Sequence, residues 1–400
     1  MRFRRSVVRR RSRACRTEVG TPPNLHFVSD LARAPRYLGL VDNLAHTLVG
    51  AAIGRSIGGD RVPAAGWIGA VAANAPDWTE PLIGLRLDRG DGSFYMSHRG
   101  ITHSFLGAAV ETVAITFAVW GVFVLLRRDA PRRTLPPLPL LVLLVLVAVA
   151  SHLYMDWQGS YGLRPYLPWS GRWYYGDWVA IADPVFWLVP LVALAWGADR
   201  HWRDLTPVVL VAGLVLYLVF THDGVAGWLR VTCAALVLIG ALGWIRYWFG
   251  WGGRRRAAVL ALLVLSLYAA AQAVASIPVK AAARAAATSR FGPGAQSATL
   301  TEVGFPFTWT TIIASRDSVA GATWAWPRHL DLPAVREALR ISPQARSLEG
   351  FARFLAGDVD SSSYPVRVTL RDVRYARAPS GGWAVVTVPL PPTAAAPGRR

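Results

Sequence analysis

Long apolar segments recur along this chain and constrain its fold more than any other feature. They contain few charged residues and lie near residues 105–126, 138–155, 178–197, 207–221, 228–249 and 257–277. A helix needs roughly 20 mostly apolar residues to cross the hydrocarbon of a bilayer, where every backbone polar group must find a partner within the protein. The pattern therefore predicts an all-α polytopic membrane domain.

Two shorter apolar stretches, near residues 44–58 and 64–75, precede these segments. Each is brief for a full crossing, so re-entrant, tilted or short helices are all compatible with them. The membrane domain is predicted over residues 41–277, with about six to eight spans depending on how these two stretches are placed.

Arginine-bearing loops predict the orientation of the chain. Residues 127–133, 198–204 and 249–256 join the clear spans in pairs, and we expect them in the cytoplasm because Lys and Arg are enriched in loops on that side. The alternate loops, 156–177 and 222–227, are then expected outside.

The long apolar runs stop before residues 278–400. Segments 299–315 and 381–390 are predicted as strands, and 334–341 is predicted as a helix. Because these residues follow an even number of crossings, we expect a small extracytoplasmic soluble α+β domain that ends in a disordered tail.

The N-terminal segment, residues 1–40, begins RFRRSVVRRRSR and lacks the apolar core of a signal peptide. One interpretation is a disordered basic arm. An arm on the outer side would break the charge rule, which favours a second hypothesis. In that hypothesis Val41 is the native start and residues 1–40 are a start-site artefact.

The net charge of +19 does not predict nucleic-acid binding, because the Arg residues are concentrated in the N-terminal arm and in short loops. The expected partner is the lipid bilayer, and several of the 18 Trp lie where apolar runs end, as at a membrane interface. Cys15 lies in the basic arm and Cys233 in an apolar run, so neither a disulfide framework nor a thiolate metal site is predicted.

Histidines and carboxylates gather where the apolar segments end. His98 and His103 are five apart, and a bend at Gly100 would aim both imidazoles at one centre. His152 and Asp156 are four apart and share one face of a helix. In the predicted topology these four side chains lie at the outer membrane face, which indicates a Zn²⁺-type centre of one or more ions.

His46 and Asp77 join this group if the two short stretches form a hairpin with its turn at 58–61 inside. Asp183 adds a further carboxylate at the same face, either in the site or in a turn before Pro184. Taken singly, such residues are also compatible with interfacial histidines and with aspartates that cap helices or turns. Glu111, two turns into the following span, is predicted either to orient a ligand or to be a neutral hydrogen-bonded carboxyl.

Several motifs resemble a known family. They are DNLAHTLVG at 42–50, APDW at 75–78, HRGITHS at 98–104, and SHLYMDW at 151–157 followed by YGLRP. Over residues 41–190 the chain resembles the bacterial inner-membrane, metal-dependent hydrolase family that includes a LexA-regulated member. That family is remotely similar to zinc-dependent phospholipase C and to the S1/P1 nucleases. Segments 305–313, 351–355 and 370–375 resemble the C-terminal domain of its longer members.

The resemblance implies a multi-pass protein of the bacterial inner membrane that hydrolyses a phosphodiester or other ester through metal-activated water. By position, it implies that the ligands of a divalent metal are His46, Asp77, His98, His103, His152 and Asp156. Thr79 stands where some members have a second Asp, which leaves one coordination position open.

Three further residues are predicted to act in catalysis. Asp183 could serve as a general base, as could Asp77 or Asp156 if either is not a ligand. Arg99 and Arg164 lie close enough in sequence to the His motifs to hold a phosphate. The many interfacial aromatic side chains suggest a small-molecule or lipid-like substrate next to the membrane.

Two other classes of function remain open. A non-catalytic membrane scaffold would bind metal, or none, without turnover. A metal or proton transporter would carry polar residues at several depths, and the spans after residue 184 have few of them. The sequence does not predict an oligomeric state.

Overall fold

The computed structural model describes residues 35–87, 98–129, 135–196, 202–246, 253–376 and 383–391. Most of the N-terminal arm, residues 1–34, lies outside these ranges, as does the C-terminal tail from residue 392. The first described helix begins at Pro35, so it starts within the segment interpreted as an arm.

The described residues up to Phe291 are mainly helical. The helices are α1 (Pro35–Gly58), α2 (Ala65–Leu87), α3 (Phe105–Asp129), α4 (Leu138–Gln158), α5 (Pro184–Trp196), α6 (Trp202–Thr221), α7 (Gly227–Arg246) and α8 (Gly253–Phe291). A single 3₁₀ turn, Ile101–His103, precedes α3.

Four of the described helices are long and apolar enough to cross a membrane. These segments are Phe105–Arg127, Leu138–Gln158, Gly227–Ile245 and Gly253–Phe291. Two shorter apolar helices, Pro184–Trp196 and Leu205–Thr221, lie between them in sequence. The helical membrane architecture is as predicted, whereas the count of six to eight spans stays a prediction.

Two helices continue past the ends that hydropathy predicted. The second short stretch was expected to end near residue 75, but α2 runs to Leu87 and carries Pro76 and Pro81 inside it. Asp77 is therefore a helical residue rather than a turn residue. The last helix continues beyond residue 277 to Phe291, because the Ala-rich segment there keeps a high helix propensity after its hydropathy falls. The predicted domain boundary thus lies within a continuous helix.

Another predicted span, 178–197, contains less helix than expected. Residues 178–183 are not helical, and α5 begins at Pro184. Proline suits this first helical position because its missing N–H would have no intrahelical partner there.

The helices α1 and α2 form a closely packed antiparallel hairpin. A Cβ atom added at Gly54 would overlap the Ala65 carbonyl, and one added at Gly69 would overlap the Gly50 carbonyl. At the hairpin turn, Nε of Arg255 donates to the Ser56 carbonyl at 2.9 Å. The turn and the Arg-bearing start of α8 therefore lie at the same end of the bundle.

The C-terminal region contains two antiparallel sheets and two short helices. Its strands are β1 (Gln296–Thr301), β2 (Trp309–Ala314), β3 (Ser318–Ala320), β4 (Ala325–Pro327), β5 (Leu355–Asp360), β6 (Arg367–Asp372) and β7 (Val385–Pro389). The helices α9 (Pro333–Ile341) and α10 (Pro343–Phe351) separate the sheets in sequence. Segment 299–315 was predicted as one strand but forms parts of β1 and β2, which pair in an antiparallel hairpin.

This C-terminal region contacts the loop that follows α4. Arg353 forms an ion pair with Asp177 at 2.8 Å, and Nη1 of Arg374 donates to the Ser160 carbonyl at 2.8 Å. The indole N–H of Trp173 donates to the Gly350 carbonyl at 2.9 Å. Loop 159–178 is therefore held between the membrane helices and the C-terminal sheets.

Replacing Gly54 with Leu should destabilise the membrane domain, because the new side chain overlaps α2. Overpacking of this kind costs about 1–3 kcal/mol. Thermal unfolding of the purified protein in detergent, followed by Trp fluorescence, measures the effect. Gly121→Leu is the matched control, since no atom lies within 4 Å of an added Cβ there. Equal unfolding temperatures for the two variants would contradict the close packing of α1 and α2.

Replacing Arg353 with Ala should loosen loop 159–178, because it leaves the buried Asp177 carboxylate without its ion-pair partner. Backbone amide exchange in this loop of the full-length protein should become faster than in wild type. Arg336→Ala is the matched control, because Arg336 pairs with Asp331 on an exposed surface. Unchanged exchange in Arg353→Ala would show that the ion pair does not hold the loop.

Candidate metal centre

Helix α4 places two candidate ligands next to each other. His152 and Asp156 are one turn apart at its end, and both are buried. Nδ1 of His152 lies 2.7 Å from the Ala73 carbonyl of α2. A carbonyl only accepts hydrogen bonds, so Nδ1 carries the proton and Nε2 presents its lone pair. Pro76 lacks the N–H that would bond the Ala72 carbonyl, so α2 lacks one backbone hydrogen bond next to Ala73.

The turn before α3 supplies a second imidazole. Arg99 has a φ of 53°. The bend therefore lies at Arg99, one residue before the predicted position at Gly100. His103 follows within the 3₁₀ turn and is fully buried. Ser104 then caps α3, because its hydroxyl accepts from the Gly107 N–H at 3.0 Å. The cap and the bend together fix the direction of the His103 side chain.

Four donor atoms converge at this point. Nε2 of His103 lies 3.1 Å from Oδ1 of Asp77 and 3.1 Å from Nε2 of His152. The distance between His152 Nε2 and Asp77 Oδ1 is 3.7 Å. Oδ2 of Asp156 lies 3.4 Å from His103 Nε2 and 3.6 Å from His152 Nε2. In a tetrahedral zinc site with bonds of about 2.1 Å, ligand atoms are about 3.4 Å apart, so the atoms of Asp77, His103 and His152 fit one such ion, with Asp156 beside it.

The chemistry of the donor set also favours a cation. Nδ1 of His103 faces the Glu80 carboxylate at 3.4 Å and the Thr102 hydroxyl at 2.9 Å. A proton on this Nδ1 leaves Nε2 as an acceptor, like Nε2 of His152. Two acceptor nitrogens that face each other in a buried site repel unless a positive charge lies between them.

The charges around His103 act in the same direction. Burial alone would lower the pKa of its imidazole. When Nε2 also takes a proton, it donates to Asp77; this hydrogen bond and the negative charges of Asp156, Asp77 and Glu80 outweigh burial and raise the pKa above its ordinary value. The site therefore attracts positive charge, whether a proton or a metal ion.

His46 from α1 extends the cluster. Its Nε2 lies 3.5 Å from Oδ1 of Asp156, and its ring stacks on His152 with centroids 3.9 Å apart. Within the described residues, two groups could hold a metal ion: His46, His152 and Asp156, and Asp77, His103 and His152. The ligand atoms of each group lie within 4.8 Å of one another. Both groups contain His152, so they belong to one centre.

Glu80 is a site residue that was not predicted from the sequence. It lies three residues after Asp77 on α2, and its Oε1 is 2.9 Å from Nδ1 of His98. Its Oε2 accepts from the Arg99 backbone N–H at 3.0 Å. The i, i+3 spacing of two carboxylates on one helix could have identified it, had this segment been predicted as helical.

His98 and Thr79 each contact a glutamate beside the cluster. His98 is partly exposed, is paired with Glu80, and lies outside both metal-holding groups. The Thr79 hydroxyl donates to Oε1 of Glu111 at 2.6 Å, on α3. Thr79 thus links α2 to α3.

The predicted phosphate-binding arginines are both buried. Nη2 of Arg99 pairs with Oδ1 of Asp156 at 2.8 Å, and its guanidinium lies 4.7 Å above the Tyr161 ring. Arg164 lies 4.7 Å above the Trp173 ring, and burial lowers its pKa. Arg99 therefore positions Asp156, a candidate ligand. Arg164 packs against Trp173 within loop 159–178.

Asp183, the predicted general base, caps α5. Its Oδ1 accepts from the Val185 N–H at 2.9 Å, and its Oδ2 accepts from the Tyr268 hydroxyl at 2.7 Å. It also lines a cavity of about 30 Å³ together with Arg99, Asp156 and Tyr161. A water molecule needs about 10–15 Å³ by this measure, so the cavity can hold one beside Asp156.

Residues 41–226 match the family described as YdjM inner membrane protein. The matched segment is slightly less than half of the chain and contains every residue of the metal centre. The match supports a bacterial inner-membrane protein family for this segment, in agreement with the apolar helices. No curated protein and no solved structure matches the chain.

Purified protein should bind one divalent cation tightly, and His103→Ala should abolish stoichiometric binding. Glu80→Gln should retain the ion but lower its affinity by about 10–100-fold, the usual effect of losing a residue that orients a ligand. Competition with a chromophoric zinc chelator measures both variants. His222→Ala, in the loop between α6 and α7, is the control. Wild-type affinity in both His103→Ala and Glu80→Gln would contradict the assigned centre.

Proposed function

We propose that the protein is a membrane-bound, zinc-dependent hydrolase. Its substrate is a phosphodiester or other ester of a lipid-like or membrane-adjacent molecule. The observation that carries the proposal is the convergence of Asp77, His103 and His152 at tetrahedral ligand spacing, with Asp156 beside them. Nitrogen and carboxylate oxygen ligands without thiolates suit Zn²⁺.

Asp77, His103 and His152 form a three-residue ligand set, which is the arrangement of a catalytic zinc site rather than of a closed structural one. A divalent cation held there lowers the pKa of water toward neutrality and stabilises negative charge on the substrate oxygen. Glu80 and the Ala73 carbonyl hold the two imidazoles in the required tautomer and orientation.

Asp156 is assigned the general base. Arg99 holds its Oδ1, which leaves Oδ2 facing the imidazoles of His103 and His152. Oδ2 lies 3.4 Å and 3.6 Å from the two imidazole nitrogens, which supports this role because a base must lie close to the water it deprotonates.

His98 is assigned the transfer of a proton to the leaving group. It is the partly exposed histidine of the motif, and Glu80 holds its Nδ1. A carboxylate on one ring nitrogen orients the other toward a reacting group and favours proton transfer there.

The two roles predict a separation of metal binding from turnover. Asp156→Asn and His98→Gln should each lower turnover by about 10²–10⁴-fold, the usual contribution of a general acid or base. Both should keep their bound metal, whereas His103→Ala should lose metal and turnover together. The measurements are metal content and hydrolysis of bis(p-nitrophenyl) phosphate and of phospholipids by protein in detergent.

Metal binding without turnover of any ester by wild type would favour the non-catalytic scaffold. Full turnover in both His103→Ala and His152→Ala would rule out the proposed mechanism. The control for general damage is His222→Ala, which should retain both metal and turnover.

A further inference from the structure

An apolar groove runs along the outer surface of the membrane helices between α3 and α4. Its depression is formed by the small side chains of Ala108, Ala109 and Ala150. Larger apolar side chains, Leu146 and Leu153, form its walls. Its volume is about 450 Å³, within the range of about 300–1,000 Å³ that is typical of ligand pockets. Both helices are candidate membrane spans, so the groove opens toward lipid hydrocarbon.

The rim of the groove has the chemistry of a membrane interface. Tyr154, Trp157, Tyr166 and Tyr174 line its end, and such aromatic side chains favour the headgroup level. The guanidinium of Arg172, an exposed residue, lies 5.4 Å above the Tyr174 ring. A cation at this position complements an anionic headgroup.

The walls of the groove are continuous with the metal centre. Leu153 and Trp157 directly follow His152 and Asp156 on α4, and Phe105 lies two residues after His103. Helix α4 and the segment that joins His103 to α3 therefore contribute both to the ligand cluster and to the groove.

We propose that this groove binds one acyl chain of an anionic glycerophospholipid, with the lipid phosphate near Arg172. The lipid is then the substrate class of the metal centre. This last step rests on the proposed hydrolase function, whereas binding of the lipid does not.

Photo-crosslinking tests the binding. Full-length protein in nanodiscs is labelled with phosphatidylglycerol that carries a diazirine in one acyl chain, and labelled peptides are mapped by mass spectrometry. Labels should concentrate on the facing ends of α3 and α4. Ala150→Trp, which fills the groove, should lower this labelling about fivefold or more. A fivefold loss of binding corresponds to about 1 kcal/mol, the lower end of the free-energy cost of overpacking.

Leu143→Trp is the matched control, because Leu143 is lipid-exposed on the same helix and does not line the groove. Ala109→Leu fills the groove more gently from α3, with Val113→Leu as its control, and keeps the test valid if Ala150→Trp fails to fold. Equal labelling in the groove variants and their controls would show ordinary boundary lipid and overturn the proposal.

Headgroup choice and turnover separate the two proposals. Arg172→Gln should remove the preference for phosphatidylglycerol over phosphatidylcholine in competition labelling, and an unchanged preference would overturn the placement of the phosphate. Ala109→Leu should lower hydrolysis of long-chain phosphatidylglycerol and spare bis(p-nitrophenyl) phosphate. Groove-specific labelling without any hydrolysis by wild type would support the lipid site and overturn the hydrolase. Hydrolysis by wild type, with no effect of the groove variants on labelling or turnover, would support the hydrolase and overturn the lipid site.

Discussion

The mutual approach of buried imidazole nitrogens and carboxylate oxygens is the interaction on which the rest of this structure depends. Polar atoms in an apolar helical bundle are costly unless they are paired. His103 and His152 turn their Nε2 atoms toward each other because Glu80 and the Ala73 carbonyl engage their Nδ1 atoms. A cation bound there would offset the repulsion between the two nitrogens and would link three separate segments of the chain.

The hairpin of α1 and α2 makes this convergence possible. Glycines at the hairpin contact let the two backbones approach closely, as small residues commonly do between membrane helices. His46 and Asp77 are thereby brought beside the end of α4. The turn before α3 completes the centre, since its bend at Arg99 directs the following residues back toward α2.

The C-terminal region contributes to the site through aromatic contacts rather than through ligands. Tyr161 lies under the Arg99 guanidinium, with centroids 4.8 Å from Phe351 and 5.9 Å from Trp383. Arg99 in turn holds Asp156. A continuous series of packed side chains therefore connects the sheet of β5, β6 and β7 to the candidate metal centre.

Much of this arrangement could be predicted from sequence, because hydropathy and helical spacing are local properties. They predicted the helical membrane architecture, the shared helix face of His152 and Asp156, and a candidate site at the ends of the apolar segments. Only the tertiary structure decided which side chains meet. Glu80 reaches the site because α2 continues as a helix through Pro76. His98 pairs with Glu80 rather than with the ligand atoms. Asp183 caps α5 and contacts α8, 85 residues away in sequence. Contacts between helices depend on how close the backbones come and on the direction of each side chain. The local sequence of one segment determines neither of these.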